Sequence, residues 1–219
     1  MVKLYAADIA GLPDPKDAHW LVNRLDAERR KRIFQFVKPE DRKRCLGAGL
    51  LLGKVLPCYG VSPEEIRTGA DGKPSAPGIG FNLSHSGNMV ICAVGNGAVG
   101  CDVEKITEAP EGVAERFFHP NEIKYLNLCD GRTANENFFR IWTMKESYIK
   151  MTGEGMRLPL DRFEVVPEDG KAKVVREGRL LACRITEYSI MDYRAAVCAQ
   201  EPCSSDVCLM EIISGGNYG

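Results

Sequence analysis

The segment 89–95 reads MVICAVG, seven residues without a charged or strongly polar side chain. It is far short of the ~18 apolar residues a membrane span needs. It suits a strand buried on both faces. Segments 81–85 and 98–104 flank it closely, so three strands come in quick succession. A strand buried twice over needs cover on both sides, and the chain offers helical patterns around it. Residues 17–37 read as one helix whose apolar positions are Trp20, Leu21, Leu25, Ile33, Phe34 and Val37; a second runs over 40–56. The later half repeats the scheme, with helical patterns at 111–118, 120–128 and 134–152, the last stopped by Gly153-Glu154-Gly155. Strands at 163–166, 171–176, 179–188 and 193–198 follow, with Asp169-Gly170 and Glu177-Gly178 as hairpin turns. Helices first, then an antiparallel meander, twice over: the expectation is a weak internal duplication in an α+β fold, helices packed on antiparallel sheets.

The 219 residues carry 29 basic and 30 acidic side chains, a net charge of −1, which excludes a globally basic nucleic-acid binder. The N-terminus, MVKLYAADIAG, has no long apolar core and does not read as a signal peptide. Nine cysteines without a CxxC pair read as small buried side chains in a reducing cytoplasm. The charge is uneven. Between Arg24 and Arg44 nine basic residues meet four acidic ones, an excess of +5. Guanidinium groups match phosphate bidentately, so this window suits an anion; a solvated helix face is the plainer alternative. No aromatic-stacking or zinc-finger pattern accompanies it to suggest nucleic acid.

Three groups of residues carry chemistry. On the helix 134–152, Phe138, Phe139, Ile141, Trp142, Tyr148 and Ile149 form one apolar arc; Lys145 falls inside it and Glu146 at its edge, one turn from Trp142 and from Lys150. A buried charge needs a partner or an ion; the simplest partner for Glu146 is Lys150 four residues on. On the strand 98–104, Asp102 and Glu104 share a face. Side-by-side carboxylates are relieved by water or by a hard cation such as magnesium, which takes one or two carboxylates together with substrate phosphates. Finally, Ser84 and His85 are adjacent, so on a strand they face opposite ways and cannot form a nucleophile–base pair; no G-x-S-x-G elbow is present. An anion contact or a structural histidine fits better. Together the inventory suits a polyanion held with magnesium.

These residues resemble, in order and spacing from about Arg29 to Cys198, the 4′-phosphopantetheinyl transferases of the Sfp type. Gly100-Cys101-Asp102-Val103-Glu104 resembles the family's G-x-D-[IV]-E, and Trp142-Thr143-Met144-Lys145-Glu146-Ser147-Tyr148-Ile149-Lys150 its W-[ST]-x-K-E-[AS]-x-x-K. Gly72-Lys73-Pro74, the run from Phe81 to Ser86, and Arg116-Phe117-Phe118 before Glu122 match as well; the tail after Ala199 lies outside the resemblance.

The resemblance implies a monomeric, cytoplasmic enzyme of two halves related by pseudo-twofold symmetry, 1–104 and 105–219, with the site between them. It would move the 4′-phosphopantetheine arm of coenzyme A to a serine of an apo acyl or peptidyl carrier protein and release adenosine 3′,5′-bisphosphate. Asp102, Glu104 and Glu146 would bind magnesium. Arg29, Arg32, Arg44, Lys73, Pro74, Ser84, His85 and Lys150 would contact coenzyme A, with His85 near its 3′-phosphate and Lys150 on its pyrophosphate. Glu146, Glu122 or a magnesium-bound water is left as the base, and Lys145 is left either to stabilise contacts of the arm or to pair across the cleft. In the segment 105–121, one ring of Phe117 and Phe118 is expected in the core and the other at the surface, with Arg116 and Lys124 as a basic rim for the carrier. No nucleic-acid or membrane partner is expected. The rivals are a binding module that kept the fold without the chemistry, which would have no need of three carboxylates and Lys150, and a magnesium-dependent nucleotide phosphohydrolase.

Overall fold

The computed structural model describes residues 1–69 and 74–213. Strand β1 (Val2–Asp8) is followed by helices α1 (His19–Val22), α2 (Ala27–Gln35) and α3 (Pro39–Val55). The short strands β2 (Arg67–Thr68) and β3 (Pro74–Ser75) precede β4 (Gly80–Ser86), β5 (Met89–Gly95) and β6 (Val99–Lys105). Helices α4 (Val113–Phe117), α5 (Pro120–Leu126) and α6 (Gly131–Thr152) open the later half. Strands β7 (Phe163–Glu168), β8 (Lys171–Arg176), β9 (Arg179–Ile190), β10 (Tyr193–Ala199) and β11 (Cys203–Leu209) close it.

Two main sheets result, in the orders β11-β1-β5-β4 and β6-β10-β9-β8-β7. They face each other across a core of Leu4, Ile91 and Ala93 from the first and Cys101, Val103 and Val197 from the second. Helix α3 covers the outer face of the first sheet, where Leu46 and Leu51 meet Val90, Cys92 and Val94. Helix α6 covers the outer face of the second, where Ile141 and Met144 meet Ala196 and Cys198. The fold is therefore α+β, its two main sheets antiparallel but for one pair, β1 with β11, and each covered on its outer face by one long helix. Every residue of β5 is buried, as its uninterrupted apolar run predicts.

Three expectations are corrected. The single helix over 17–37 is broken, because Asp26 caps a new helix by accepting a hydrogen bond from the Arg29 amide at 2.8 Å. With that break Trp20, Phe34 and Val37 become exposed instead of core. The meander also divides: β4 and β5 pair, but β6 pairs with β10 of the second sheet. Its Val99, Cys101 and Val103 fill the space between the sheets, while its other face meets α6. The tail forms β11, which returns to pair in parallel with β1, the one parallel pairing among the described strands. By hydrogen bonding, then, each sheet takes in a strand from beyond residue 104 or before it.

Gly100 sets how closely α6 approaches β6. A Cβ there would collide with the Ser147 carbonyl oxygen and the Met151 amide nitrogen. Gly100→Ala should therefore push α6 off the sheet, at a cost of about 1–3 kcal/mol for overpacking, and cut activity by displacing Glu146 and Lys150. Denaturant unfolding of the variant checks this; an unchanged midpoint would mean the helix can shift freely.

Candidate active site

The edge strands β4 and β6 lie side by side at the seam between the sheets, joined by side chains. The Cys101 amide donates to Asn82 Oδ1 at 3.0 Å. Ser84 Oγ donates to Asp102 Oδ1 at 2.7 Å, and Ser86 Oγ to Glu104 Oε2 at 2.6 Å. The alternation of Asn82, Ser84 and Ser86 along β4 thus matches the alternation of Asp102 and Glu104 along β6. Asn82 and Ser86 were not singled out from the sequence. Their period-two spacing around Ser84 was the available signal.

Helix α6 lies over this seam. Lys150 Nζ donates to Asp102 Oδ1 at 2.6 Å and to Ser84 Oγ at 3.0 Å. Lys150 thus reaches across the seam to Asp102 and Ser84. Asp102 is 3% exposed, and its second oxygen, Oδ2, is buried with no hydrogen-bond partner among the described residues. Burial and the Asp102 charge push the Glu104 carboxyl up to about 7, with a smaller push from Glu146. The Glu146 carboxyl is raised too, by burial and then by Asp102. Burial is the largest influence on Lys150 and opposes its charge, but Asp102, Cys101 and Glu146 together raise the ammonium. The seam therefore holds more carboxylate than its own cations neutralise.

A buried carboxylate oxygen without a donor, beside two carboxyls that resist ionising, fits a hard cation. Among the described residues, no three His, Cys, Asp or Glu side chains are gathered closely enough to ligate one ion unaided.

From this seam a cleft of about 640 Å³ runs toward α2, lined by Arg29, Arg32, Pro74, His85, Trp142 and Glu146 among others. Arg29 and Arg32 project from α2 into it. Arg44 stands nearby, its guanidinium donating to Asp41 at 2.5 Å and to the Gly87 carbonyl at 3.4 Å. His85 keeps contact with solvent. The protein around it, then the Arg44 and Lys150 charges, hold its imidazole below the usual histidine range. Lys73 lies outside the described residues.

Two basic-window and motif residues turn out to be structural. Arg42 is buried, donating to both oxygens of Asp14 and to the Phe36 and Val37 carbonyls, where it ties down the end of α2. Glu122 is not brought to the cleft: it is buried against Lys145 at 2.7 Å and accepts from the Val165 and His119 amides. Phe118 is buried and stacks on Phe138, whereas Phe117 stays partly exposed, edge-on to Trp142 with the Arg116 guanidinium over it.

The chain is similar to proteins of known activity. The sequence model of the 4′-phosphopantetheinyl transferase superfamily matches residues 98–198, from β6 to β10. The chain is 37% identical over 190 residues to the 4′-phosphopantetheinyl transferase ffp of Bacillus subtilis, covering 83% of this chain and 85% of the relative. It is 34% identical over 198 residues to the 4′-phosphopantetheinyl transferase Sfp of Bacillus subtilis strain 168, covering 81% and 88%. With the 4′-phosphopantetheinyl transferase gsp of Aneurinibacillus migulanus it shares 32% identity over 196 residues, 86% and 83% of the two chains. The chain belongs to the 4′-phosphopantetheinyl transferase superfamily, enzymes that transfer a 4′-phosphopantetheine group to carrier proteins.

Proposed function

We propose that this enzyme takes the 4′-phosphopantetheine group from coenzyme A, with magnesium at Asp102, Glu104 and Glu146, and places it on a serine of an apo acyl or peptidyl carrier protein. The observation that carries this reading is the unpartnered, buried Oδ2 of Asp102 at the end of a basic cleft. At about 640 Å³, with Arg29 and Arg32 at its α2 end, the cleft suits a nucleotide with several phosphates. Arg29, Arg32 and Arg44 hold phosphate oxygens, Pro74 lines the cleft with the first two, and the resemblance of Gly72-Lys73-Pro74 to the family motif adds Lys73 as a coenzyme A contact. Ser84 and Lys150, already on Asp102 Oδ1, meet the pyrophosphate. When bound, magnesium neutralises the pyrophosphate and the charge that grows on the leaving phosphate.

The carrier serine attacks the β-phosphorus, the bond to the bridging oxygen breaks, and adenosine 3′,5′-bisphosphate leaves. Glu146, which lines the cleft, takes the serine proton. Lys150 steadies the α-phosphate as negative charge accumulates. The N-terminal half, 1–104, supplies most of the coenzyme A contacts, and the half 105–219 supplies the K-E helix and the carrier surface. Phe117, with Arg116 over its ring, offers an apolar and basic contact for the carrier. The enzyme works as a monomer in the cytoplasm. Its nine free cysteines suit a reducing compartment, and no helix among the described residues is long and apolar enough to cross a membrane.

Incubation with coenzyme A, magnesium and an apo carrier protein should add one phosphopantetheine to the carrier, detected by mass. Chelation, or Asp102→Ala, should abolish the gain while coenzyme A still binds. Hydrolysis of coenzyme A without a carrier would favour a phosphohydrolase.

His85 generates a second prediction. Its imidazole is held low in the free enzyme, and a phosphate dianion beside it would raise it. Coenzyme A binding should then take up a proton near neutral pH, and affinity should fall as pH rises toward the bound-state value. Calorimetry in buffers of different ionisation heat measures this uptake, which His85→Ala should remove; an unchanged uptake would assign the proton elsewhere.

A further inference from the structure

The K-E motif places two charged side chains next to each other on α6, and they go to different parts of the molecule. Glu146 and Lys150, four residues apart, share the helix face that meets the cleft. Lys145 points the other way and is completely buried. Its ammonium donates to Glu122 Oε1 at 2.7 Å and to the Phe163 carbonyl at 2.8 Å, and it sits 4.3 Å from the centre of the Phe163 ring. Glu122 is as fully engaged. Oε1 also accepts from the Val165 amide at 2.7 Å, and Oε2 accepts from the His119 amide at 2.8 Å, closing the capping box of α5. One buried ion pair therefore ties α6 to the start of α5 and to β7. None of its polar atoms faces the cleft lined by Glu146 and Lys150.

We propose that Lys145 and Glu122 are a positioning pair. They fix the rotation of α6 about its axis, so that Glu146 and Lys150 face Asp102, and they withhold Glu122 from proton transfer. Two contacts define the seat of the helix. Gly100 lets its backbone come down onto β6, and the pair pins its opposite side to β7. Because Phe118 and His119 lead directly into α5, the same pin joins the segment carrying Phe117 to the helix carrying Glu146. This rests on the reading of Glu146 and Lys150 as site residues.

A double-mutant cycle tests it, using Glu122→Gln, Lys145→Met and the two combined. Each single change strands one buried partner, which is strongly destabilising; the double change removes both charges and keeps one side-chain oxygen as acceptor for one of the two amides, His119 or Val165. The single variants should lose roughly 10- to 100-fold in kcat through misplacement of the site, with KM for coenzyme A changed less than about threefold. The double variant should recover most of kcat, melt higher than either single variant, and keep the wild-type pH profile of kcat. Three results would overturn the proposal. One is loss of the acidic limb of that profile in Glu122→Gln, which would make Glu122 the base. Another is losses in kcat that multiply in the double variant. The third is a double variant that melts no higher than the singles. Activity of Asp102→Ala reports on the site reading itself, so the two ideas fail separately.

Discussion

One carboxylate organises this molecule. Asp102 is buried at the seam of two sheets, with one oxygen held by Ser84 of β4 and Lys150 of α6, and the other without a donor. A half-satisfied buried carboxylate costs free energy, and the fold tolerates it because the contacts around it come from both halves of the chain. Ser84 arrives from the first sheet, Asp102 from the second, and Lys150 from the helix covering the second. The charge deficit passes to the neighbours, where Glu104 and Glu146 resist ionising. On the proposed reading, a cation and the anionic oxygens that bring it further ligands would relieve this strain.

That arrangement depends on how the strands are shared. Were β6 to pair with β5, its carboxylates would lie within the first sheet, under α3. By crossing to β10, β6 sets Asp102 and Glu104 beneath α6 and beside the edge of β4. Gly100 then admits the helix to backbone contact. The return of the tail as β11 on β1 links the sheets a second time. Basic side chains complete the cleft from α2, a helix held in place by Arg42 and Asp14.

Much of this was legible in the sequence because the signals were local. The apolar run of β5, the proline that opens α3 and the glycine that closes α6 with φ 71° marked their elements directly. The period-two spacing of Asp102 and Glu104 placed both carboxylates on one face. What depended on distant partners was hidden. The choice of β10 over β5 as the neighbour of β6 is made by packing on both of its faces. Lys150 could reach Glu146 along the helix or Asp102 across the cleft, and only the tertiary approach of α6 decides. Glu122 read as a candidate base for the same reason: nothing nearby in sequence announces Lys145 or Val165 as its partners. Trp20 and Phe34 read as core because the break at Asp26 interrupts the helix they were assigned to.

The most direct test is the thermal stability of the protein with saturating coenzyme A, measured with and without magnesium as a function of pH. Burial and the Asp102 charge push the Glu104 carboxyl up to about 7, above the ordinary carboxylate range. Its stabilising contribution is therefore present at acid pH and lost as pH rises through 7. A bound cation reverses that loss. Magnesium should raise the melting temperature more at about pH 8 than at about pH 5.5, and Asp102→Asn should remove the increment. An increment independent of pH, or one that survives in Asp102→Asn, would contradict a cation site built on the unpartnered oxygen of Asp102.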